Sequence, residues 1–140
     1  MADHSGQMPG GALDVTKLWV TEPLAADAPS EAIPKSSEFT LHATFSGSGT
    51  QWNNMKSQHH VFAIYFHLEG IGTLEKEVDY GPVHVTLDPA MNSYEVRRVV
   101  TAQQNTLPVG LYKGGCTVEN TNWHGAVGFN EGLVLQVYTP

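Results

Sequence analysis

The amino-acid sequence predicts a single all-β domain, built as an antiparallel two-sheet sandwich of about seven to eight strands. The length of 140 residues suits one domain. Charged residues make up only 15% of the chain, a fraction that strands and turns produce more readily than Glu/Lys-rich helices. Fourteen Gly and eight Pro allow many chain reversals, and several segments alternate between apolar and polar residues with the period of a strand.

The N-terminal residues 1–11 are polar and rich in Gly and Pro, so we expect a flexible arm followed by a sandwich domain over residues 12–140. The arm has neither the basic start nor the apolar centre of a secretory signal. No segment reaches the roughly 20 apolar residues of a membrane span. With one cysteine and no Asn-x-Ser/Thr sequon, the chain is typical of a cytoplasmic protein or one exported without a cleaved signal.

The first strand is predicted over residues 13–20, where Leu13, Val15, Leu18 and Val20 are apolar. Residues 22–36 contain three prolines. Because proline lacks a backbone donor and restricts the residue before it, we expect a surface connection with room for about one helical turn.

The clearest alternation places Phe39 and Phe45 at the ends of one apolar face, and the same pattern recurs over residues 62–68. The polar segment 47–60 between them is predicted to be a loop. The seven predicted strands cover residues 13–20, 37–46, 61–69, 73–87 (one strand broken at Tyr80-Gly81-Pro82), 94–102, 109–119 and 126–138.

Residues 107–119, LPVGLYKGGCTVE, carry the most specific fold signal. A turn, then Gly110-Leu111-Tyr112, then a strand of small residues resembles the tyrosine-corner strand of immunoglobulin-like and fibronectin-type sandwiches. The resemblance implies that Tyr112 hydrogen-bonds to upstream backbone and that Cys116 and Val118 point inward. Antibody-type domains place a paired cysteine two residues after the tyrosine, whereas Cys116 lies four residues after it and has no mate. The resemblance covers architecture over residues 13–138 and implies no antibody-like role.

The net charge of −7 argues against two classes of partner. Arg97-Arg98 are the only adjacent basic residues, so no basic stripe exists to neutralise a phosphate backbone or an anionic membrane surface. We therefore expect neither nucleic acid nor a membrane span among the protein's interactions.

The histidines do not have the spacing of a metal site. His59 and His60 are adjacent, which on a strand directs them to opposite faces, and His42, His67 and His84 occupy outward positions of their strands. No His-x-His, His-Glu-x-x-His or Cys-x-x-Cys pattern occurs. We expect no metal and no cofactor.

Catalytic signals are equally weak. Cys116 lies among small residues and is expected to be a buried hydrophobe. Glu75 with Glu77, or Glu69 with Glu131, could flank a glycosidic bond, but nothing in the sequence places them opposite one another. No catalytic residue is assigned, and the chain is predicted not to be an enzyme.

Loops at one end of the sandwich form the candidate binding site. If residues 73–87 are one strand, the loops 47–60, 88–93 and 120–125 fall at the same end; two strands would move the last loop away. The candidate ligand-binding residues are Trp52, Asn53, Asn54, His59, His60, Asn92, Asn122, Trp123 and His124, with Asn120 beside them. The indoles could stack on a sugar or anchor a protein. Alternatively, each Trp fills the end of the core beneath its own loop.

Three functions follow from these features. The first is a non-enzymatic structural subunit that forms a homo-oligomer or filament through strand edges and the N-terminal arm, although that arm could instead pack on its own domain. The second is a binding module for a glycan or small polar ligand at the loop end. The third, with least support, is a hydrolase with a carboxylate pair.

Overall fold

A computed structural model describes residues 11–25, 28–123 and 125–140 of the chain. Apart from Gly11, where the first strand begins, the expected N-terminal arm lies outside the described residues. The described chain forms an all-β sandwich of two sheets with one short helix.

Eight strands and one helix follow one another along the chain. The strands are β1 Gly11–Thr21, β2 Ala32–Pro34, β3 Phe39–Gly49, β4 Val61–Gly70, β5 Glu77–Thr86, β6 Ser93–Val100, β7 Gly110–Asn120 and β8 Val127–Tyr138, and the helix is α1 Thr50–Ser57. Each of the seven predicted strands is present with shifted ends, while β2 and α1 were not predicted.

One sheet has the strand order β1-β3-β6 and the other β2-β8-β7-β4-β5. All strand pairs are antiparallel except β2 and β8, which are parallel, so the prediction of a purely antiparallel sandwich is wrong for the five-stranded sheet. The chain leaves β1, crosses to the other sheet and adds three residues beside β8. Ile33 lies opposite Val137 there and is fully buried, which anchors this short edge strand in the core.

The hydrophobic core lies between the two sheets and is built from the predicted alternations. Phe39 and Phe45 of β3 are fully buried, as are the alternate residues between them. The inward residues of β4, from Phe62 to Leu68, are buried in the same way. The period-two pattern therefore predicted the inward faces of both central strands.

The tyrosine corner is present in β7. The Tyr112 hydroxyl donates a 2.6 Å hydrogen bond to the backbone carbonyl of Pro108, and its ring is fully buried. Cys116 and Val118 are also fully buried, so the inward direction implied by the resemblance is confirmed.

Residues 73–87 contain one strand. Gly81 and Pro82 of β5 together lie opposite Tyr65 of β4, because the register passes from Ile64–Val83 to Phe66–Tyr80. This bulge absorbs the expected break without ending the strand, and the missing proline donor is tolerated because β5 is an edge strand. Because residues 73–87 contain one strand, the segments 47–60, 88–93 and 120–125 lie at the same end of the sandwich.

The predicted loop 47–60 is instead helical over α1. Gly49 has a φ of 97°, a conformation that glycine adopts without steric cost, and it turns the chain out of β3. The three-residue spacing of Trp52 and Met55 then places both on the inner face of the helix, where they are buried. Burial of these two side chains over the open end of the core stabilises the helix. The polar residues around them gave no sign of a helix in the sequence.

Candidate functional site

The three loop segments meet at one end of the sandwich, as predicted. Trp52 Nε1 of α1 donates to Asn92 Oδ1 of the 88–93 segment across 3.0 Å. Asn122 Oδ1 accepts a 2.9 Å hydrogen bond from the backbone N–H of Val61, at the start of β4. These bonds join segments far apart in the sequence.

Trp52 belongs to the core and not to a ligand surface. Its indole is fully buried and meets the rings of Phe62 and Tyr94 edge-on, with centroids 6.0 and 6.2 Å away. Asn92 Oδ1 also accepts a hydrogen bond from Lys56 Nζ at 2.5 Å. Of the two alternatives for Trp52, the structure shows the one in which the ring fills the end of the core beneath its own loop. Trp52 and Lys56 share the Asn92 carboxamide oxygen as acceptor, and the buried indole cannot stack on a sugar.

A second cluster surrounds His60, which is buried. Asn120 Nδ2 lies 2.9 Å from His60 Nδ1, and Gln58 Oε1 lies 3.2 Å from His60 Nε2. The ring of Trp123 meets the imidazole edge-on at 4.6 Å, and Asn120 Oδ1 accepts the backbone N–H groups of Asn122 and Trp123. Burial lowers the pKa of His60. The neutral imidazole thus has a hydrogen-bond partner at each nitrogen. The cluster connects the 120–125 loop to the residue that precedes β4.

The remaining predicted residues are more accessible. Asn53, Asn54, His59 and Asn122 are exposed and Trp123 is half-buried, while His124 lies outside the described residues. His59 Nδ1 lies 3.2 Å from the carbonyl oxygen of Leu87. A cavity of about 290 Å³ lies next to the loop, lined in part by Asn120 and Thr121. The exposed parts of Asn53, Asn54, His59 and Asn122 could hydrogen-bond a polar ligand, and the half-buried Trp123 follows Asn122 in the chain.

A further cluster, on the outer face of the β1-β3-β6 sheet, was missed by the sequence analysis. Trp19, His42 and Arg97 lie in one cross-strand row, and the rings of Trp19 and His42 stack at 4.9 Å with an interplanar angle of 8°. His42 Nε2 is 2.7 Å from Thr21 Oγ1. His42 faces outward as predicted, but it is buried because Trp19 covers it. The position of Trp19 between the inward residues Leu18 and Val20 was the available signal.

The imidazole of His42 lies in an electrostatically mixed setting. Burial lowers its pKa below 6.5; the Glu95 carboxylate raises this pKa and the Arg97 guanidinium lowers it further. Among the described residues, His42 Nδ1 is one of two buried side-chain polar atoms without a hydrogen-bond partner. A cavity of about 360 Å³ adjoins this row.

The carboxylate pairs considered for hydrolysis do not face each other across a cleft. Glu69 lies opposite Lys113 in the register, and Lys113 Nζ is 3.8 Å from the Glu131 carboxylate, so a cation stands beside the two acids. Glu75 and Glu77 are exposed two residues apart. Burial raises the pKa of the Cys116 thiol to about 12, which leaves it protonated and a poor nucleophile. No group of three or more His, Cys, Asp or Glu placed to hold a metal ion occurs within 11–25, 28–123 and 125–140.

Comparison with known proteins supports the fold and little more. No family model matches the chain, and no curated protein matches it. The C-terminal domain of wzt superposes with a TM-score of 0.60 at 7% identity, covering 100% of this chain and 78% of that one. The alkylpurine DNA glycosylase AlkC of Pseudomonas fluorescens gives 0.50 at 8% identity, covering 91% of this chain and 30% of its own.

The fimbrial subunit AggA of Escherichia coli matches at a TM-score of 0.45 and 12% identity, covering 90% of this chain and 95% of that one. The wzt domain is a β-sandwich fold, in keeping with the all-β class. The matched structures include enzymes and non-enzymes, and such low identities define architecture alone. In the part of the chain that the structure describes, no helix is long and apolar enough to cross a membrane.

Proposed function

We propose that this chain is a non-catalytic β-sandwich that works through contacts with further copies of itself, as the subunit of a homo-oligomer or filament. The observation that carries the proposal is the free edge of β6. This eight-residue strand contains neither proline nor glycine and, among the described strands, pairs on one side alone, with β3. Unpaired backbone donors and acceptors along such an edge are a template for another strand.

The other sheet edges carry features that discourage strand addition. β2 has three residues and ends in Pro34. β5 contains Pro82 and the bulge opposite Tyr65. β1 is interrupted by a bulge, and the Asn130 side chain donates to the carbonyl of Val15. Short strands, prolines and bulges hinder pairing. β6 has none of these three features, although it carries the charges of Glu95, Arg97 and Arg98, so it is the edge most open to another strand.

Light scattering during size-exclusion chromatography tests self-association. The full chain should elute as a species larger than a monomer and dissociate on dilution. A variant that lacks residues 1–10 separates the N-terminal arm from the strand edges, since association through β6 would survive the deletion. A monomer for both proteins at every concentration would overturn the proposal.

A second candidate is a binding module for a glycan or another small polar ligand at the loop end. The half-buried Trp123 supports this candidate, together with the exposed amides of Asn53, Asn54 and Asn122 in loop segments of the same end. With Trp52 in the core, Trp123 would be the stacking ring and the amides would bind hydroxyl groups.

Titration of tryptophan fluorescence with a panel of neutral glycans tests the binding module. Trp123→Ala should abolish the response, while Trp19→Ala, which removes a half-buried indole from the outer sheet face, should retain it. An unchanged signal in Trp123→Ala would remove this candidate.

We further infer that the sandwich is of the immunoglobulin-like class. Two features support this assignment. The first, third and sixth strands share one sheet, as strands A, B and E do in that class, while β4, β7 and β8 take the places of strands C, F and G. The hydrogen bond from Tyr112 to Pro108 occupies the position of the tyrosine corner.

A further inference from the structure

We propose that two copies of this chain pair their β6 strands antiparallel about a two-fold axis at Val96. This inference rests on the proposed self-association and names its interface. The occupant of the free edge is a second copy of β6, and the charge order Glu95-Val96-Arg97 specifies the register.

Opposite residues in an antiparallel pair lie on the same face with Cβ atoms roughly 4.5–5.5 Å apart. An axis at Val96 places Glu95 opposite the partner's Arg97, and Arg97 opposite the partner's Glu95. Residues 93–99 of each strand then pair along almost the whole of β6. Two reciprocal attractions between opposite charges result.

Neighbouring registers lack this match. An axis at Glu95 would oppose two carboxylates, and an axis at Arg97 would oppose two guanidinium groups. Like charges placed directly opposite each other are destabilising. An axis at Tyr94 shortens the paired segment at one end of the strand, and an axis at Arg98 shortens it at the other end while opposing two arginines. The sequence of β6 therefore favours one register over its alternatives.

The two charged side chains are available for this role. Glu95 and Arg97 form an ion pair of 3.6 Å within one copy, with 49% and 67% of their side-chain surfaces exposed. An exposed pair of this kind contributes little by itself. In the paired strands, the four charges alternate in sign around a small square, and such a network contributes more than an isolated pair.

The resulting assembly is closed. A two-fold axis uses the same strand of both copies, so pairing joins the two three-stranded sheets into one six-stranded sheet and leaves no second β6 edge for growth. The basic unit is therefore a dimer, and a filament would need a further interface elsewhere on the molecule.

Charge reversal in the full-length chain tests the register. Glu95→Arg alone opposes arginines at both positions, and Arg97→Glu alone opposes glutamates, so each variant should dimerise at least about tenfold more weakly than the original. The double variant E95R/R97E should dimerise like the original. An equimolar mixture of the two single variants should form a heterodimer, because every cross-strand pair then joins opposite charges.

Analytical ultracentrifugation reads the dissociation constants, and thermal unfolding checks that each variant is folded. Recovery in both the double variant and the mixture supports the Val96 register. If the original chain associates but the single reversals do not weaken it, the register is wrong and self-association uses another surface. If the original chain is monomeric throughout, both the interface and the proposed function are wrong.

Discussion

At the scale of single residues, internal hydrogen bonds account for most polar groups at the loop end. Asn92 binds Trp52 and Lys56, and Asn120 binds the His60 ring and two backbone N–H groups. Buried polar groups need partners because an unsatisfied one costs free energy. Side chains that resembled a ligand-binding set in the sequence thus include several that hold the loops together.

The hydrogen bond of the Tyr112 hydroxyl is expected to stabilise the start of β7 by a measurable amount. Tyr112→Phe removes the bond to the Pro108 carbonyl and should lower the free energy of unfolding by about 1 kcal/mol. Chemical denaturation measures this loss, with Tyr138→Phe at a partly exposed position as the control. Equal stability of Tyr112→Phe and the control would show that the corner contributes nothing.

The buried His42 should make stability depend on pH. Its pKa is lower in the folded chain than its ordinary value of 6.5, chiefly because of burial, so below pH 6.5 the unfolded chain binds more protons. The contribution of His42 to the free energy of unfolding is therefore fully present above pH 6.5. This contribution decreases as the pH falls from 6.5 toward the lower pKa of the folded state.

Urea denaturation at a series of pH values measures this linkage. His42→Gln should flatten the decline below pH 6.5 even if it lowers stability overall, because Gln does not titrate. His84→Gln, the same change at an exposed position, is the control. Identical slopes in the original chain and His42→Gln would contradict the assignment.

At the scale of elements, the joint between β3 and α1 determines how the end of the core is closed. The indole of Trp52 in the helix packs on Gly47, and a Cβ atom at residue 47 would lie only 2.2 Å from two indole carbon atoms. β3 ends at Gly49 and α1 begins at Thr50, so the helix follows the strand without a connecting loop. This short connection brings Trp52 back against β3, and the close approach requires a residue without a side chain at position 47. In the Ser-Gly-Ser-Gly segment, Gly47 thus allows Trp52 to pack on β3, and Gly49 allows the chain to turn into the helix.

Gly47→Ala should destabilise the protein through this joint. Overpacking against a buried indole is expected to lower the free energy of unfolding by about 1–3 kcal/mol. Gly81→Ala is the matched control, because no atom lies within 4 Å of a Cβ atom placed there. Thermal or urea unfolding of the two variants checks the difference, and equal stabilities would refute the packing of Trp52 on Gly47.

At the scale of the whole molecule, the sandwich encloses its single cysteine. Cys116 is fully buried between the sheets and its thiol has a pKa of about 12. A thiol reagent should therefore label it only when the domain opens globally. The labelling rate should follow the unfolded fraction as denaturant is raised, as measured by mass spectrometry; rapid labelling in native buffer would reveal a local opening of β7.

The fold was largely predictable because its signals are local. The alternations ending at Phe39 and Phe45 and over residues 62–68, the turns, and the Gly-x-Tyr sequence at residues 110–112 act over a few residues. They predicted seven strands, their inward faces and the tyrosine corner. They also indicated that residues 47–60, 88–93 and 120–125 share one end, once residues 73–87 were counted as one strand.

By itself, the sequence determined the all-β class, the positions of seven of the eight strands and which face of each central strand is apolar, since side-chain period and turn chemistry are local. Only the tertiary structure decided that Trp52 lies in the core, that His42 is covered by Trp19, and that β2 pairs in parallel with β8. Those outcomes depend on partners distant in the chain: His42 meets Thr21 across 21 positions, and Trp52 meets Asn92 across 40. No period within one strand reports which residues of another strand will lie beside it.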